Sequence, residues 1–532
     1  MMFQMRGVVA VMMMGVGAAA ANAQELDVNP QDYYRSAIAG NPRWGDEHTG
    51  EQFCWHARVP AGTFVQGYLA TGDRAWLDEA VHYFDTLVDR MDEGADGYKG
   101  WIGPYIYDNS VWGDVHVGDA ILFDPMLRFS ELVLVEEPEL AADYGQAAQR
   151  YVELAKVHLF EKWDARGTYH QDGPFGAYMS WDHYAQPEDL SAWIHMPERR
   201  NTSLSLPFNK NADMASVALR IHRVTGETWY RERAEQIFGY FKSRMQRHGE
   251  QYVWNYWEPV GPWDLDPAEP GGLRHWVQVH PHRNYQSGEV SKIVMAYHHG
   301  VVFTEADIRA IIHTNLEVMW DGDTSRPRFA NANLVVDPGQ SREREDTGSG
   351  LAGTLWTSLA DFSDTVREIE DARRGNGGGG GGGGGNARTR VSRAHEAQVS
   401  RVRPAGFERR YAEDDIEVPA AYARFPLGDV AAVRMAVALP MQFDGADGTV
   451  LLAKLNQDSE LEVAIYDEAG ERKMATLFAG EVEGGTDGRT GVHRLDFDAI
   501  NPDTQEQLAP GAYRIRWTVV GDGYREYPII VE

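Results

Sequence analysis

Cysteine and positive charge are scarce in this chain, and each shortage excludes a class of protein. Cys54 is the one cysteine among 532 residues, so the sequence offers neither an internal disulfide nor a cysteine-based zinc site. The formal net charge of −30 argues against nucleic acid and against an anionic membrane surface as partners. Beyond the N-terminus, no apolar run is long enough to span a bilayer. We expect no cofactor, although a structural calcium or zinc ion stays open.

The first 23 residues have the pattern of a secretory signal. Arg6 supplies the positive charge, residues 7–20 form the apolar stretch, and Ala21-Asn22-Ala23 is a small-x-small cleavage site. The apolar stretch is too short for a membrane anchor. We therefore expect an exported bacterial protein, either periplasmic or extracellular.

A run of nine glycines at positions 377–385 divides the chain. Such a run holds no fixed backbone conformation, and the arginine-rich stretch that follows it has few apolar residues. The predicted organisation is a signal peptide at 1–23, a helical domain at 24–370, a flexible linker at 371–415 and an accessory domain at 416–532. Because a glycine tether transmits no packing, residues up to about Thr365 are predicted to fold without the C-terminal domain.

Three segments before the tether share one helical pattern, in which an alanine lies between two aromatic rings on the same face. Two of these segments follow a Thr-Gly pair, at Thr71-Gly72 and Thr225-Gly226, which we interpret as helix starts. The pattern residues are Trp76, Ala80, Tyr83 and Phe84; Tyr144, Ala148 and Tyr151; and Tyr230, Ala234, Ile237, Phe238 and Phe241. Repeats of this kind indicate helical hairpins in series. Long aromatic loops between the hairpins favour an (α/α) toroid, an incomplete barrel of hairpins, over an open solenoid.

The pattern of apolar and polar residues changes after the nine glycines. Short segments there alternate apolar and polar residues and are separated by Asp-Gly and Pro-Gly turns, as in residues 460–466 and 513–520. This pattern predicts an immunoglobulin-like β-sandwich. Fifteen of the 16 tryptophans precede the tether, so the sandwich is expected to be an accessory module without a sugar-binding surface of its own.

Residues 254–289 hold the densest mixture of rings, histidines and amides in the chain. Rings that stack on sugar faces, next to groups that neutralise a carboxylate and exchange a proton, point to a carbohydrate-binding cleft. The plainer alternative is a tryptophan-rich loop that packs on a helix with its histidines at the surface. We assign the segment's candidate roles to Trp254, Tyr256, Glu258, His280, His282, Arg283 and Tyr285. A third ligand at zinc spacing is missing beside the two histidines, so no metal is predicted.

Two further regions carry candidate substrate contacts. Asn209 and Asn211 precede a helical pattern, where an asparagine either caps the helix or donates to a substrate carboxylate. Tyr105, Tyr107 and His116 lie in an aromatic loop that is either a sugar subsite or ordinary packing at the rim of the helical domain.

The steps Leu206-Pro207-Phe208-Asn209 and Tyr252-Val253-Trp254-Asn255-Tyr256, together with the Thr-Gly hairpins, resemble the (α/α) toroid polysaccharide lyases. Alginate and glucuronan lyases are the nearest members, and the resemblance covers roughly residues 31–365. It implies that an asparagine, with a histidine or arginine, neutralises a uronate carboxylate while a tyrosine or histidine removes the C5 proton. Carried to this sequence, those roles fall on Asn209, His280 or His282, Arg283 and Tyr285.

The predicted function is therefore β-elimination of an anionic, uronate-containing polysaccharide by a monomeric enzyme. A glycoside hydrolase on the same toroid is the main alternative. Glycoside hydrolysis needs two carboxylic acids. The aromatic loops hold four candidates for that pair, namely Asp114, Asp182, Glu258 and Asp264. A uronate C5-epimerase and a polysaccharide-binding protein without activity also stay open.

Overall fold

The computed structural model describes residues 26–105, 108–179, 183–184, 193–194, 204–274, 283–329, 353–376, 387–402, 433–485 and 490–532. The expected signal peptide, Tyr107, Asp182, His280 and His282 lie outside these ranges. Arg283 is described as backbone alone.

The N-terminal region is mainly helical, as the sequence predicts. Its helices are α1 Pro30–Ala39, α2 Gly50–Thr71, α3 Ala75–Val88, α4 His116–Glu131, α5 Ala141–Ala155, α6 Lys162–Ala165, α7 Phe208–Thr225, α8 Thr228–Arg244, α9 Arg283–His298, α10 Glu305–His313, α11 Asp364–Asn376 and α12 Ala387–Val402. Within the described ranges, none of the helices has the length and apolar content to cross a membrane.

Most helices form hairpins whose first members pack side by side. Helices α2, α4, α7 and α9 contact one another in that order, and α3, α5, α8 and α10 each pack on the helix before them. The first members run parallel: α4 meets α7 through Asp124–Arg220 near the middle and through Glu136–Arg223 just past the end of α4. We call α2, α4, α7 and α9 the inner helices and α3, α5, α8 and α10 the outer helices.

The two Thr-Gly pairs end inner helices instead of starting outer ones. Gly72 and Gly226 adopt left-handed φ values of 70° and 74°, and their N–H groups donate to Tyr68 O and His222 O. Glycine enters this conformation without strain, so it closes α2 and α7 and turns the chain toward the next helix. The interpretation of these pairs as helix starts is wrong, although they do mark the hairpins.

The aromatic–alanine pattern of the outer helices is confirmed. Trp76, Tyr83, Tyr144, Tyr151 and Phe238 and the alanines between the rings are buried. The small alanine side chains let neighbouring helices approach while the rings fill the grooves on either side.

Part of the predicted flexible linker is an ordered helix. Helix α12 packs on α2, burying Val391 and Ala394, and Ser392 Oγ lies 3.1 Å from Gln66 Oε1. The arginine-rich composition of this segment predicts disorder. One apolar stripe is nevertheless sufficient to dock the helix.

The C-terminal region forms two sheets that share a core. Strands β11 Val433–Leu439, β13 Thr449–Leu455 and β16 Val492–Phe497 form one sheet in the order β11-β13-β16. The other has the order β12-β18-β17-β14-β15, from β12 Gln442–Phe443, β14 Ser459–Asp467, β15 Lys473–Val482, β17 Gly511–Val519 and β18 Gly523–Val531. The predicted β region is confirmed, and its immunoglobulin-like topology stays a prediction.

Short strands connect the helices of the N-terminal region. They are β1 Asp92–Glu93, β2 Lys99–Gly100, β3 Gly103–Tyr105, β4 Asp108–Gly113, β5 Tyr169–Asp172, β6 Phe175–Tyr178, β7 His183–Tyr184, β8 Trp193–Ile194, β9 Gln246–His248 and β10 Gln251–Val253.

The β region docks on the helical region, while the folding of residues up to about Thr365 without it stays a prediction. Arg244 at the end of α8 donates to Tyr527 Oη at 2.7 Å, and both side chains are buried. Asp172 accepts from the backbone N–H of Met441 at 2.8 Å. A Cβ on Gly271 would lie 2.7 Å from Val492 Cβ, so the two surfaces meet at backbone distance. Direct contacts therefore fix the interface between the two regions.

We expect Tyr527→Phe to destabilise the whole protein. The substitution removes one hydrogen bond to the buried Arg244 guanidinium, which costs about 1.5–3 kcal/mol when the donor is charged. Tyr513→Phe is the matched control, because the Tyr513 hydroxyl donates to Ala509 O at an exposed position. Urea unfolding measures both. Equal stability of the two variants would mean that the interface does not couple the regions.

Candidate functional site

Two carboxylates on different inner helices meet at one lysine. Lys292 Nζ on α9 lies 3.3 Å from Asp213 Oδ1 on α7 and 4.0 Å from Asp124 Oδ1 on α4. The two carboxyl oxygens are therefore no farther apart than these two lengths together. The side chain of Asp124 is 27% exposed and that of Asp213 is 14% exposed, so both keep some contact with solvent. We call Asp124 and Asp213 the carboxylate pair.

The surroundings push the two acids toward different protonation states. Burial favours the neutral form of Asp124, but Arg220, whose Nε lies 2.8 Å away, and Lys292 outweigh it and hold the pKa of Asp124 well below its usual value. Burial also acts on Asp213 and raises its pKa despite Lys292. One carboxylate stays ionised while the other binds a proton more readily, which is the division that acid–base chemistry needs.

The starts of α7 and α9 meet at Tyr256. The N–H of Phe208, the first residue of α7, donates to Tyr256 O at 3.2 Å. The ring of Tyr256 stacks on that of Tyr285 in the first turn of α9, with centroids 5.3 Å apart. Both rings are partly exposed. Since Asp213 meets Lys292 further along, α7 and α9 run parallel.

Glu289 lies between the stacked rings and the carboxylate pair. It is fully buried, and its Oε2 accepts from Trp254 Nε1 at 2.8 Å. Burial raises its pKa from the ordinary value of 4.5 to about 8, against the lowering effect of the Trp254 hydrogen bond. Glu289 is therefore mainly protonated at neutral pH.

Helix α2 brings an aromatic ring and a cation to the same side. Arg58 lies 4.8 Å above the Trp55 ring and is exposed. Its charge also acts on Asp124 and Asp213. A flat ring beside a guanidinium can stack on a sugar and donate hydrogen bonds to it.

Comparison with known proteins gives little. No protein-family model and no curated protein matches the chain. Two solved structures are similar to it, both inactive variants of the α-1,6-mannanase GH76A of Salegentibacter sp. HEL1_6, one with α-1,6-mannotriose and one with α-1,6-mannotetrose. The first is 13% identical and covers 70% of this chain and 99% of its own, with a TM-score of 0.37. The second is 12% identical over 71% and 100%, with a TM-score of 0.36. They give the lyase resemblance no support, and TM-scores this low carry no conclusion about activity.

Four predicted substrate contacts are buried and contact other groups of the protein. Asn211 accepts from Tyr178 N–H and donates to Leu206 O. His116 stacks on Trp163 with centroids 3.8 Å apart, and burial lowers its pKa well below the usual value. Glu258 is buried 3.6 Å from Arg244 at the interface with the β region, and Trp254 is buried among aromatic rings.

Other predicted residues are brought together or stay untested. Asn209, Tyr256 and Tyr285 gather at the starts of α7 and α9, while Tyr105 lies apart in β3. His280, His282 and Tyr107 fall outside the described ranges. Across the described part of the chain, no three histidine, cysteine, aspartate or glutamate side chains converge as a metal site would require.

The carboxylate pair and Lys292 are not among the residues predicted from the sequence. A signal was present, because Asp124 is the one charged residue in the otherwise apolar segment 120–127. A single carboxylate in such a helix needs a partner or a function. Asp213 follows Asn209 by four residues, which places both on one helix face.

We expect Glu289→Gln to stabilise the protein at pH 7 but not at pH 4. The unfolded chain loses the Glu289 proton near pH 4.5, whereas the folded protein keeps it to about 8. Stability therefore falls as the pH rises through this window. Glutamine does not titrate, so Glu289→Gln should raise the free energy of unfolding at pH 7 by up to about 3 kcal/mol.

Urea unfolding at both pH values measures the effect, with Glu317→Gln as the control at an exposed helical position. A gain that is the same at pH 4 and pH 7 would contradict a protonated Glu289.

Proposed function

We propose that the protein is a polysaccharide hydrolase in which Asp213 is the general acid and Asp124 the base or nucleophile. The carboxylate pair carries this proposal. Glycosidases place two carboxyl groups about 5–5.5 Å apart when they retain configuration and about 6.5–9.5 Å apart when they invert it. The two contacts of Lys292 allow either separation.

The charged neighbours suit the two roles. Arg220 and Lys292 keep Asp124 ionised, so it can stabilise or attack a sugar carbon that gains positive charge. Asp213, with its raised pKa, donates a proton to the leaving oxygen. After proton transfer Asp213 becomes anionic 3.3 Å from Lys292, and this attraction stabilises the transition state more than the ground state.

The proposed architecture is an incomplete (α/α) toroid whose inner helices face the substrate. Four parallel inner helices and the packing of α12 on α2 support it. The partly exposed Trp55, Tyr256 and Tyr285 would provide stacking surfaces along the polymer. We further propose that the protein acts outside the cytoplasm, on the signal-like pattern of residues 1–23.

β-Elimination is the second candidate, favoured by Tyr256, which contacts Phe208 next to Asn209 and stacks on Tyr285. An amide donor aimed at a uronate carboxylate would stabilise the enolate-like intermediate, and Tyr285 would transfer the C5 proton. Arg283, at the start of α9, would contribute a positive charge.

We expect Asp124→Asn and Asp213→Asn each to lower the kcat of hydrolysis by about 10²–10⁴, since each removes an acid–base or nucleophilic group without changing side-chain volume. The assay incubates the protein with α-mannan, xylan, β-glucan, alginate, polygalacturonate and glucuronan and follows reducing ends. Asp143→Asn is the control, because its ion pair with Arg74 is exposed on the outer helices.

Ultraviolet absorbance of the same products separates the two candidates. Elimination would be established if unsaturated ends persist in Asp213→Asn and disappear in Tyr285→Phe. That result would refute the proposed hydrolase. The hydrolase is supported if the wild-type protein produces reducing ends without ultraviolet absorbance and both aspartate variants lose this activity.

A further inference from the structure

One face of the inner helix α2 is open to solvent. Trp55, Arg58, Val59 and Gly62 are spaced by three and four residues, so they lie on the same side of the helix. Trp55 is partly exposed, Arg58 is exposed and Val59 is 36% exposed. A Cβ built on Gly62 would meet no atom within 4 Å. We call these four residues the α2 face.

Helices α2 and α4 run parallel, and two contacts fix their register. Near their starts, a Cβ on Gly118 of α4 would lie 3.2 Å from Cys54 Sγ of α2. Near their ends, the Tyr68 hydroxyl of α2 donates to Glu137, past the end of α4. Residues at equal distances from the first contact therefore lie at similar heights.

This register places Arg58 beside the carboxylate pair. Arg58 follows Cys54 by four residues and Asp124 follows Gly118 by six, which at 1.5 Å per residue is a difference in height of about 3 Å. Four residues complete one turn, so Arg58 lies on the side of the α2 face nearest α4. Its charge also acts on Asp213, opposing the effect of burial on that pKa. Because α4 separates α2 from α7, this interaction crosses the space between the inner helices.

The guanidinium of Arg58 is oriented but has no anionic partner. Trp55 Nε1 donates to the buried Glu51 Oε1 at 3.1 Å, which holds the indole, and Arg58 lies 4.8 Å above the ring. In the described part of the chain Arg58 forms no ion pair, whereas Arg220 and Lys292 contact the carboxylate pair. The chain has 80 acidic and 50 basic residues, so an arginine left without a carboxylate beside this pair is available to an anion from outside.

We propose that Arg58 and Trp55 form a subsite for an acidic sugar unit next to the bond that is cleaved. A carboxylate or sulfate group of the sugar pairs with the guanidinium, and the sugar ring contacts the indole. The proposal rests on the proposed hydrolase and names its substrate class, an anionic polysaccharide.

A neutral polymer fits this face less well. A chain that covers the α2 face removes water from Arg58, and a cation that loses its water without gaining an anion is destabilised. The planar guanidinium is already held against the indole, so little side-chain freedom is lost when it binds an acidic group.

We expect Arg58→Gln to weaken the binding of acidic polymers selectively. Losing a hydrogen bond between charged groups should raise the Kd of an acidic polymer by at least about tenfold, while the Kd of a neutral polymer should stay within about twofold. Arg58→Lys keeps the charge and should restore part of the affinity. The difference between Arg58→Gln and the parent protein should shrink in high salt, because ions screen the exposed charge.

The experiment measures binding by affinity electrophoresis and calorimetry with the full chain. All variants carry Asp213→Asn, so that hydrolysis does not consume the polymer. The uronate arm is polygalacturonate, alginate and glucuronan, the sulfate arm is dextran sulfate, and the neutral arm is dextran, xylan and α-mannan. Arg309→Gln is the matched control, because Arg309 is an exposed arginine on the outer helix α10 that pairs with Glu305. It should leave every Kd unchanged.

Selective loss in the uronate arm would support a carboxylate as the bound group, and selective loss in the sulfate arm would support a sulfate ester. Three results would overturn the subsite: unchanged binding in Arg58→Gln, equal losses for acidic and neutral polymers, or a parent protein that binds no acidic polymer more tightly than the neutral ones. Each of these leaves the hydrolase intact. Full activity of Asp124→Asn and Asp213→Asn on a hydrolysed polymer would instead refute the hydrolase, whatever the binding results.

Discussion

The parallel packing of the inner helices is the constraint on which the rest of the molecule depends. Each inner helix is followed by an outer helix that returns the chain, so the starts of all inner helices lie at one end. Side chains at equal depth on different helices then meet, although they are far apart in sequence. Asp124, Asp213 and Lys292 come together for this reason.

Burying a carboxylate pair has a cost that the charges around it offset. Arg220 and Lys292 stabilise ionised Asp124, and Asp213 responds to the same lysine but keeps a raised pKa. Glu289 has no cation in direct contact among the described residues and is neutral instead. Burial without compensation leaves a proton on an acid, while burial beside a cation removes it. Three acids within two helical turns therefore have three different electrostatic settings.

The C-terminal β region packs against the end of α8 and the loops that follow it. It covers Glu258, Arg244 and the polar ends of the loops that follow α8. Without it, a buried guanidinium would lose its partner Tyr527 and apolar contacts such as Gly271 with Val492 would open. The helical and β regions are joined through these surface contacts.

The sequence alone determined the helical hairpins, the change to β structure after the glycines and the buried faces of the outer helices, because each follows from local spacing of apolar residues. It also placed Asn209, Tyr256 and Tyr285 among the candidates. It did not show that His116, Glu258 and Asn211 have partners inside the protein, since a buried polar group looks the same in sequence whether it meets a partner or a ligand. Only the tertiary structure joined Asp124 to Asp213, because that contact depends on the register of helices separated by long loops. The docking of the β region likewise required three-dimensional contacts that no local pattern encodes.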